Sequence, residues 1–266
     1  MNGSGKRSFD PVISSAGIVA LLVIWQLSQS IADLRPVVPY PIDIAQSFWE
    51  SIVGSNRTEF YSSVYSTTIL AILGFIIAAA IGFVLGIGLG RYSFLRITLY
   101  PYARAIYSMP RIALLPVIVV WFGLGVKSAL VLVVLTSGFT ILMGVADGVQ
   151  KVSQEFVEVG ESFRASEWQL LSKIVLPGIV PYTIASMELG AGRAIVGVLA
   201  AELFLGEGPG LGYLLDRYAM SLALDHAFVL VIIIALLGTS FMSVFRVIGS
   251  QIEKRYGQYV SSEEIM

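Results

Sequence analysis

Long stretches without a charged residue alternate with short polar segments along the chain. A helix needs roughly 20 apolar residues to cross the hydrocarbon core of a bilayer. Stretches of this kind lie at residues 11–32, 60–90, 128–146, 178–205 and 227–245, and Glu188, Arg193 and Glu202 interrupt the fourth of them. The pattern predicts an all-α protein that crosses the membrane several times.

A further apolar region at residues 97–125 is less regular than the others. It contains Arg104, Pro110, Arg111 and Pro116. Proline removes a backbone donor and clashes with the preceding helical turn, so we predict that this span is broken. Six spans are therefore expected, or five if this region enters the membrane and leaves on the same side.

The distribution of lysine and arginine predicts the orientation, because cytoplasmic loops carry an excess of both. With the N-terminus inside, ten cations lie on the cytoplasmic side and four on the other. The ten are Lys6, Arg7, Arg91, Arg96, Lys151, Arg164, Lys173, Arg246, Lys254 and Arg255; the four are Arg35, Arg57, Lys127 and Arg217. Both termini are thus expected in the cytoplasm. A cleaved signal peptide at residues 6–32 is the alternative, but the apolar run is long and no small-residue cleavage site follows it.

Composition narrows the class of protein. Hydrophobic residues make up 56% of the 266, charged residues 13%, and the mean hydropathy is +0.81. These values exclude a disordered chain, a nucleic-acid binder and an ordinary cytosolic enzyme. The chain has no cysteine and one histidine, so we expect no thiol chemistry and no metal site.

The segment between the first and second spans contains an amphipathic stretch. Asp43 is suited to the start of a short helix, with Ile44, Phe48 and Ile52 on one face. The pattern predicts a helix lying on the outer membrane surface.

The largest predicted cytoplasmic segment, residues 147–177, is polar but patterned. A helix is expected after Ser153, with Phe156, Val159 and Phe163 on one face. Ser166 and Gln169 fit a capping box that would start a second helix over 168–175, and Pro177 suits the first turn of the fifth span. The aromatic face either packs on the chain's own helix ends or docks a cytoplasmic partner.

The order of residues in this segment resembles the signature loop of bacterial ABC importer permeases. That signature is Glu-Ala-Ala, three residues, Gly, nine residues and Ile-x-Leu-Pro. Glu158, Ile174, Leu176 and Pro177 match in identity and spacing, while Gly160 replaces an alanine. Arg164 stands where the family usually has glycine, which is a departure from the pattern.

Other stretches are similar to the nitrate/sulfonate/taurine branch of these permeases. They extend the resemblance over roughly residues 10–255. They are Val38–Pro39–Tyr40–Pro41, Ser108 to Pro116, Trp121 to Gly125 with Lys127, Ala200–Ala201–Glu202, and Gly210–Leu211–Gly212–Tyr213–Leu214.

The resemblance implies a type I importer fold of six transmembrane helices in a bacterial inner membrane. It also implies several partners: a second copy of the chain, a dimer of cytoplasmic ATPases, an extracytoplasmic solute-binding protein and membrane lipid, with no nucleic acid. The chain has no phosphate-binding Gly-x-x-x-x-Gly-Lys-Ser/Thr loop, so ATP and magnesium are expected on the ATPase, no cofactor on this chain, and no catalysis by it. The residues expected to couple the two subunits are Phe156, Glu158, Val159, Gly160, Glu161, Ser162, Phe163, Arg164, Leu176 and Pro177.

A second set of residues is a candidate for the translocation pathway or its gate. Charges within membrane spans are costly and usually functional or paired. Arg111 and Arg193 could attract an anion or could pair with carboxylates, and Glu202 could line the pore, close a gate or bond to the backbone near Met109 and Pro110. The resemblance makes nitrate, a sulfonate or taurine the expected solute, while a vitamin precursor, an aromatic acid or a bicarbonate-like ion stays open.

Two other observations leave alternatives open. Gly82, Gly86 and Gly90 recur every fourth residue, and such a stripe suits either a dimer interface or packing within the chain. An ion-coupled secondary transporter is the main competing function, but only Glu188 and Glu202 could serve as coupling sites and no internal repeat is visible. An integral membrane enzyme is disfavoured because the chain lacks clustered carboxylates.

Overall fold

The computed structural model describes residues 11–32, 38–206 and 208–260, and all regular secondary structure in these ranges is helical. A 3₁₀ turn, Arg111–Leu114, and a π turn, Leu171–Val175, supplement the α-helices. In chain order the α-helices are α1 (Pro11–Ala32), α2 (Pro41–Val53), α3 (Arg57–Arg91), α4 (Ser93–Ser108), α5 (Leu115–Phe122), α6 (Val126–Lys151), α7 (Gln154–Ser162), α8 (Glu167–Leu170), α9 (Leu176–Leu205), α10 (Leu211–Met220) and α11 (Leu224–Val260).

Four helical runs among the described residues are long and apolar enough to cross a membrane. They are Arg57–Arg91, Val126–Lys151, Glu167–Leu205 and Leu224–Ile252. A fifth crossing is possible if the bent pair Ser93–Ser108 and Arg111–Phe122 counts as one span. The remaining predicted span is the 22-residue helix α1, which is not among these runs, and several of its side chains lie outside the described part of the chain.

The expected break in the third span lies between α4 and α5. The two halves meet at an angle of 93°. Met109 is extended at this point, Pro110 is not helical, and proline cannot continue the hydrogen-bond ladder of α4. A second break separates α5 from α6, where Gly123 and Gly125 have φ angles of 79° and 109° that a residue with a β-carbon rarely adopts.

The chain divides into two compact units, and the one formed by Ser62–Tyr213 and Ile233–Met266 contains the main apolar core. Helices α6 and α9 pack against each other along much of their length. Leu132 and Ile141 of α6 and Ala191 and Val198 of α9 are completely shielded in this core.

The glycine stripe of α3 packs within the chain, against α6. A β-carbon at Gly82 would lie 2.7 Å from the carbonyl oxygen of Gly138, and one at Gly86 would lie 2.8 Å from that of Leu142. Only a residue without a side chain permits this approach of two backbones. Of the two roles left open by the sequence, the structure therefore supports packing within the chain.

The other unit is formed by Met1–Tyr61 and Leu214–Ile232. In it, the hydroxyl of Ser47 on α2 donates a 2.5 Å hydrogen bond to Asp225 on α11. Arg217 donates two bonds of 2.5 and 2.7 Å to the carboxylate of Glu59, and this hydrogen-bonded anion raises the pKa of Arg217 above its usual range.

The residues of α2 that the described chain buries are Ile44, Ser47 and Ser51, whereas Phe48 is exposed and Ile52 is partly exposed. The predicted apolar face, which was expected to lie on the membrane, is thus left largely open by the protein. The reason is polar: Ser47 reaches Asp225, so the serine face turns inward. Ranking positions by hydrophobicity alone could not predict this.

Candidate functional site

Helix α7 presents an apolar face that the rest of the described chain leaves open. The helix begins directly after Ser153, as predicted, although the serine side chain makes no capping bond. Phe156 and Val159 are more than half exposed, and Phe163 is 84% exposed. Of the two alternatives for this face, the structure does not support packing on the chain's own helix ends.

A tight turn ends α7 at Arg164. The Ala165 N–H donates to the carbonyl of Gly160 at 3.0 Å, and the Arg164 N–H donates to that of Glu161 at 2.8 Å. These two bonds form a Schellman motif, in which the residue after the helix is left-handed. Arg164 has a φ of 55°, so it adopts the conformation for which related permeases usually have glycine. The bend forms in spite of the substitution.

The opposite side of α7 is fixed to the segment that follows. A β-carbon at Gly160 would lie 2.5 Å from a methyl group of Leu170 and 2.9 Å from one of Ile174. The predicted capping box is present: Ser166 N–H donates to Gln169 Oε1 at 2.8 Å, and Gln169 N–H donates to Ser166 Oγ at 3.4 Å. The second helix therefore starts where expected, and α7 is held against it.

The remaining candidate coupling residues lie on both sides of this turn. Glu158, Glu161 and Ser162 are exposed on α7, and Ser162 donates to the carbonyl of Glu158 at 2.9 Å. Leu176 packs against the core, and Pro177 is exposed in the first turn of α9. The α8–α9 run is a continuous helix from Glu167 to Leu205.

Arg111 lies immediately after the break in the third span and is the most enclosed cation among the candidate pathway residues. Its side chain is 9% exposed, and its guanidinium carbon lies 5.2 Å from the centroid of the Tyr107 ring. Its Nη1 atom is buried and has no hydrogen-bond partner in the described part of the chain. Arg193 of α9 lies within electrostatic range of Arg111 and is more exposed. The two predicted cations thus act on each other electrostatically.

Glu202 is separate from that pair and connects three helices. The residue is 8% exposed, and its carboxylate accepts hydrogen bonds from the Thr67 hydroxyl of α3 at 2.8 Å and from the Gly212 N–H at 2.8 Å. Thr67 Oγ1 in turn accepts from the Leu211 N–H at 2.9 Å. The carboxylate therefore lies at the N-terminus of α10, where the helix dipole favours negative charge. Its backbone partners are in α10, not near Met109 and Pro110.

Several interaction partners were not predicted from the sequence. Arg246 of α11 donates to Glu188 at 2.7 Å, and Tyr100 donates to Asp147 at 2.7 Å. Thr67 carried no signal either, because a threonine in an apolar span usually bonds its own helix. Among the described residues, no group of three or more His, Cys, Asp and Glu side chains could hold a metal ion.

Comparison with known proteins agrees with this arrangement of helices and motifs. The family described as binding-protein-dependent transport system inner membrane component matches residues 78–256. The chain belongs to this family, and it is a membrane subunit of an ABC importer. The resemblance inferred from the signature loop is confirmed.

Individual relatives extend the match over most of the chain. The chain is 26% identical over 240 residues to the putative aliphatic sulfonates transport permease protein SsuC of Bacillus subtilis strain 168, covering 90% of this chain and 86% of that protein. It is 24% identical over 233 residues to the formylaminopyrimidine transport permease protein ThiX of Halalkalibacterium halodurans, covering 88% and 91%.

A solved structure supports the fold. The inward-facing MetNI methionine ABC transporter contains a chain that aligns with a TM-score of 0.59 at 19% identity, covering 74% of this chain and 98% of that one.

Proposed function

We propose that residues 1–266 form one permease domain that crosses the membrane six times, with both termini in the cytoplasm and residues 147–177 as its coupling loop. In this proposal an ATPase dimer binds ATP and magnesium and docks on α7, a solute-binding protein delivers the solute outside, and the chain alternates between inward and outward states. The exposed apolar face of Phe156, Val159 and Phe163 carries the proposal.

The geometry of α7 suits the transmission of force. Gly160 fixes α7 against Leu170 and Ile174, and the helix from Glu167 to Leu205 then runs on without a loop. A displacement of α7 by the ATPase would therefore move α9 as a connected body.

Coupling to an ion gradient finds less support. An ion-binding carboxylate must be available to its ion. Glu188 is paired with Arg246, and Glu202 already accepts bonds from Thr67 and Gly212. Both carboxylates that could serve a secondary transporter are therefore engaged.

The proposed solute is a small anion of the nitrate, sulfonate or taurine type. SsuC is named for sulfonates, but ThiX, with comparable identity, is named for a formylaminopyrimidine. Similarity therefore does not decide between an anion and a vitamin precursor. The proximity of Arg111 and Arg193 supports the anion. A second copy of the chain is proposed from the family's assembly alone, because the α3 glycine stripe is used within the chain.

The docking role of α7 is tested by Phe163→Asp. A charge at the most exposed position of the apolar face should abolish co-purification of the chain with its ATPase while membrane insertion is retained, because the charged group would have to be desolvated in the interface. Phe163→Leu should retain the ATPase.

Met220→Asp is the matched control, because Met220 is similarly exposed but lies at the end of α10. It should retain the ATPase. Undiminished co-purification with Phe163→Asp would show that α7 is not the docking element.

A further inference from the structure

A cavity of about 410 Å³, lined by both polar and apolar side chains, lies between α4, α6 and α9. Its volume is in the range of small-molecule binding sites. It extends along α6 from Thr140 to Lys151, a distance of roughly 16 Å at the helical rise. Arg104 and Tyr107 line it from α4, and Tyr182 and Ser186 from α9.

The charges on the cavity wall are unbalanced. Neither Arg104 nor Lys151 forms an ion pair with any described residue, and Lys151 Nζ lies 5.1 Å from the centroid of the Tyr182 ring. The acid among the lining residues is Asp147, whose carboxylate accepts the 2.7 Å bond from the Tyr100 hydroxyl. The cavity wall therefore carries two cations and one carboxylate, and that carboxylate is already hydrogen-bonded to Tyr100.

A further positive charge lies next to the cavity. Tyr107, which lines the cavity, is in contact with Arg111, whose Nη1 is buried and has no hydrogen-bond partner among the described residues. An unpaired cation in a membrane segment is costly, and a bound anion would remove this cost. Arg104 and Lys151 thus line the cavity, and a third cation, Arg111, lies against Tyr107 of its wall.

We propose that this cavity is a solute chamber of the pathway and that it selects anions bearing a small organic group. Arg104 and Lys151 attract the anionic group, and the rings of Tyr107 and Tyr182 contact the organic part. A neutral solute could stack on the same rings but would leave the excess positive charge of the wall, two cations against one carboxylate, without a counter-charge. The inference deepens the proposed function and rests on it.

The absence of cysteine from the sequence permits a direct test. A single cysteine is introduced by Ser108→Cys, at an exposed position on the cavity wall, and a control cysteine by Ser250→Cys, at an exposed position of α11. Each chain is purified together with its ATPase. Its rates of reaction with 2-sulfonatoethyl and 2-(trimethylammonio)ethyl methanethiosulfonate are then measured, the first reagent being a sulfonate and the second its cationic counterpart.

The anion-to-cation ratio of rates at Ser108→Cys should exceed that at Ser250→Cys on the order of five-fold or more, the effect of a unit charge acting over several ångströms of partly hydrated protein. When Arg104→Gln and Lys151→Gln are added to the Ser108→Cys chain, its anion-to-cation ratio of rates should fall to that of Ser250→Cys. Arg96→Gln and Lys127→Gln, which remove the same charge from the same two helices outside the cavity, should leave the preference intact.

Equal ratios at the two cysteines would overturn the inference, as would failure of both reagents to react at Ser108→Cys. A preference that survives Arg104→Gln with Lys151→Gln would also overturn it. Co-purification of the ATPase is scored on the same preparations. A complex that assembles without the preference therefore contradicts the chamber alone, whereas loss of the ATPase from every preparation contradicts the proposed function.

Discussion

Arg164 occupies a backbone conformation that favours glycine, at the position where the family usually has glycine. With a φ of 55° it bears the steric cost of its β-carbon, which the two Schellman bonds of the turn offset. The sequence shows that arginine replaces glycine here, but it does not show whether the turn still forms. That depends on whether the hydrogen bonds of the turn outweigh the steric cost of the arginine β-carbon.

Arg164→Gly should stabilise the turn by about 0.5–1 kcal/mol, since the relief of strain exceeds the added flexibility of the unfolded chain. Amide hydrogen exchange of Ala165 should slow a few-fold, and transport should be retained. Arg164→Val should have the opposite effect on exchange. Loss of transport in Arg164→Gly would instead show that the guanidinium makes a contact of its own in the assembled transporter.

Glu202 illustrates a different kind of residue, whose role depends on partners distant in sequence. Glu202→Ala leaves the Gly212 N–H and the Thr67 hydroxyl without their acceptor, so it should destabilise the protein by about 1–3 kcal/mol. Glu202→Gln keeps one acceptor oxygen and should destabilise the protein less than Glu202→Ala does. Thermal unfolding of the purified chain measures both.

Thr67→Val provides the coupling test for Glu202. If the two side chains act together, the double variant should lose less stability than the sum of the single variants. If the losses of stability of the two single variants simply add in the double variant, the hydrogen bond between Thr67 and Glu202 does not contribute to stability.

The contacts of Glu202 with Thr67 and of Glu188 with Arg246 could not be predicted from the sequence. The capping box of Ser166 and Gln169 was predictable because its two members are three residues apart and their geometry is set by one helical turn. Thr67 is 135 residues from Glu202, and Arg246 is 58 from Glu188. Their contacts depend on how whole helices pack, which a pattern along the chain does not contain.

Among the elements, α3 provides a matched pair of glycines. A β-carbon at Gly86 meets the Leu142 carbonyl oxygen at 2.8 Å, whereas one at Gly88 meets only a methyl group of Leu95, at 3.6 Å. Gly86→Ala should therefore push α3 away from α6 and destabilise the fold by about 1–3 kcal/mol.

Gly88→Ala should be neutral or slightly stabilising, because alanine is the better helix former and the space is available. Thermal unfolding of the two variants side by side measures the difference. Equal midpoints would show that α3 and α6 are not in close contact in the membrane.

At the scale of the whole molecule, the all-helical class and the broken third span could be predicted because both follow from apolar run length and proline. Most of the described helices begin and end within about five residues of the expected spans, but the helix that ends at Leu205 begins earlier, at Glu167, and α11 continues well past the predicted end at residue 245. The extension of α11 has a physical cause: charges such as Arg246 end an apolar stretch without ending a helix.

Orientation in the membrane is the whole-molecule prediction that rests on charge alone. Ser55, between α2 and α3, and Ser153, between α6 and α7, are both exposed and should lie on opposite sides. In intact cells a membrane-impermeant thiol reagent should label Ser55→Cys and spare Ser153→Cys, and in permeabilised cells it should label both. The reverse pattern would place the termini outside and α7 out of reach of any ATPase.

The uninterrupted helix from Glu167 to Leu205 spans about 58 Å at the helical rise, which exceeds the thickness of the hydrocarbon core. One end of this helix packs against α7, and the other end carries Glu202, whose carboxylate is hydrogen-bonded to the first turn of α10. ATP hydrolysis on one side of the bilayer and solute entry on the other would thus be synchronised mechanically, through the movement of a single long helix.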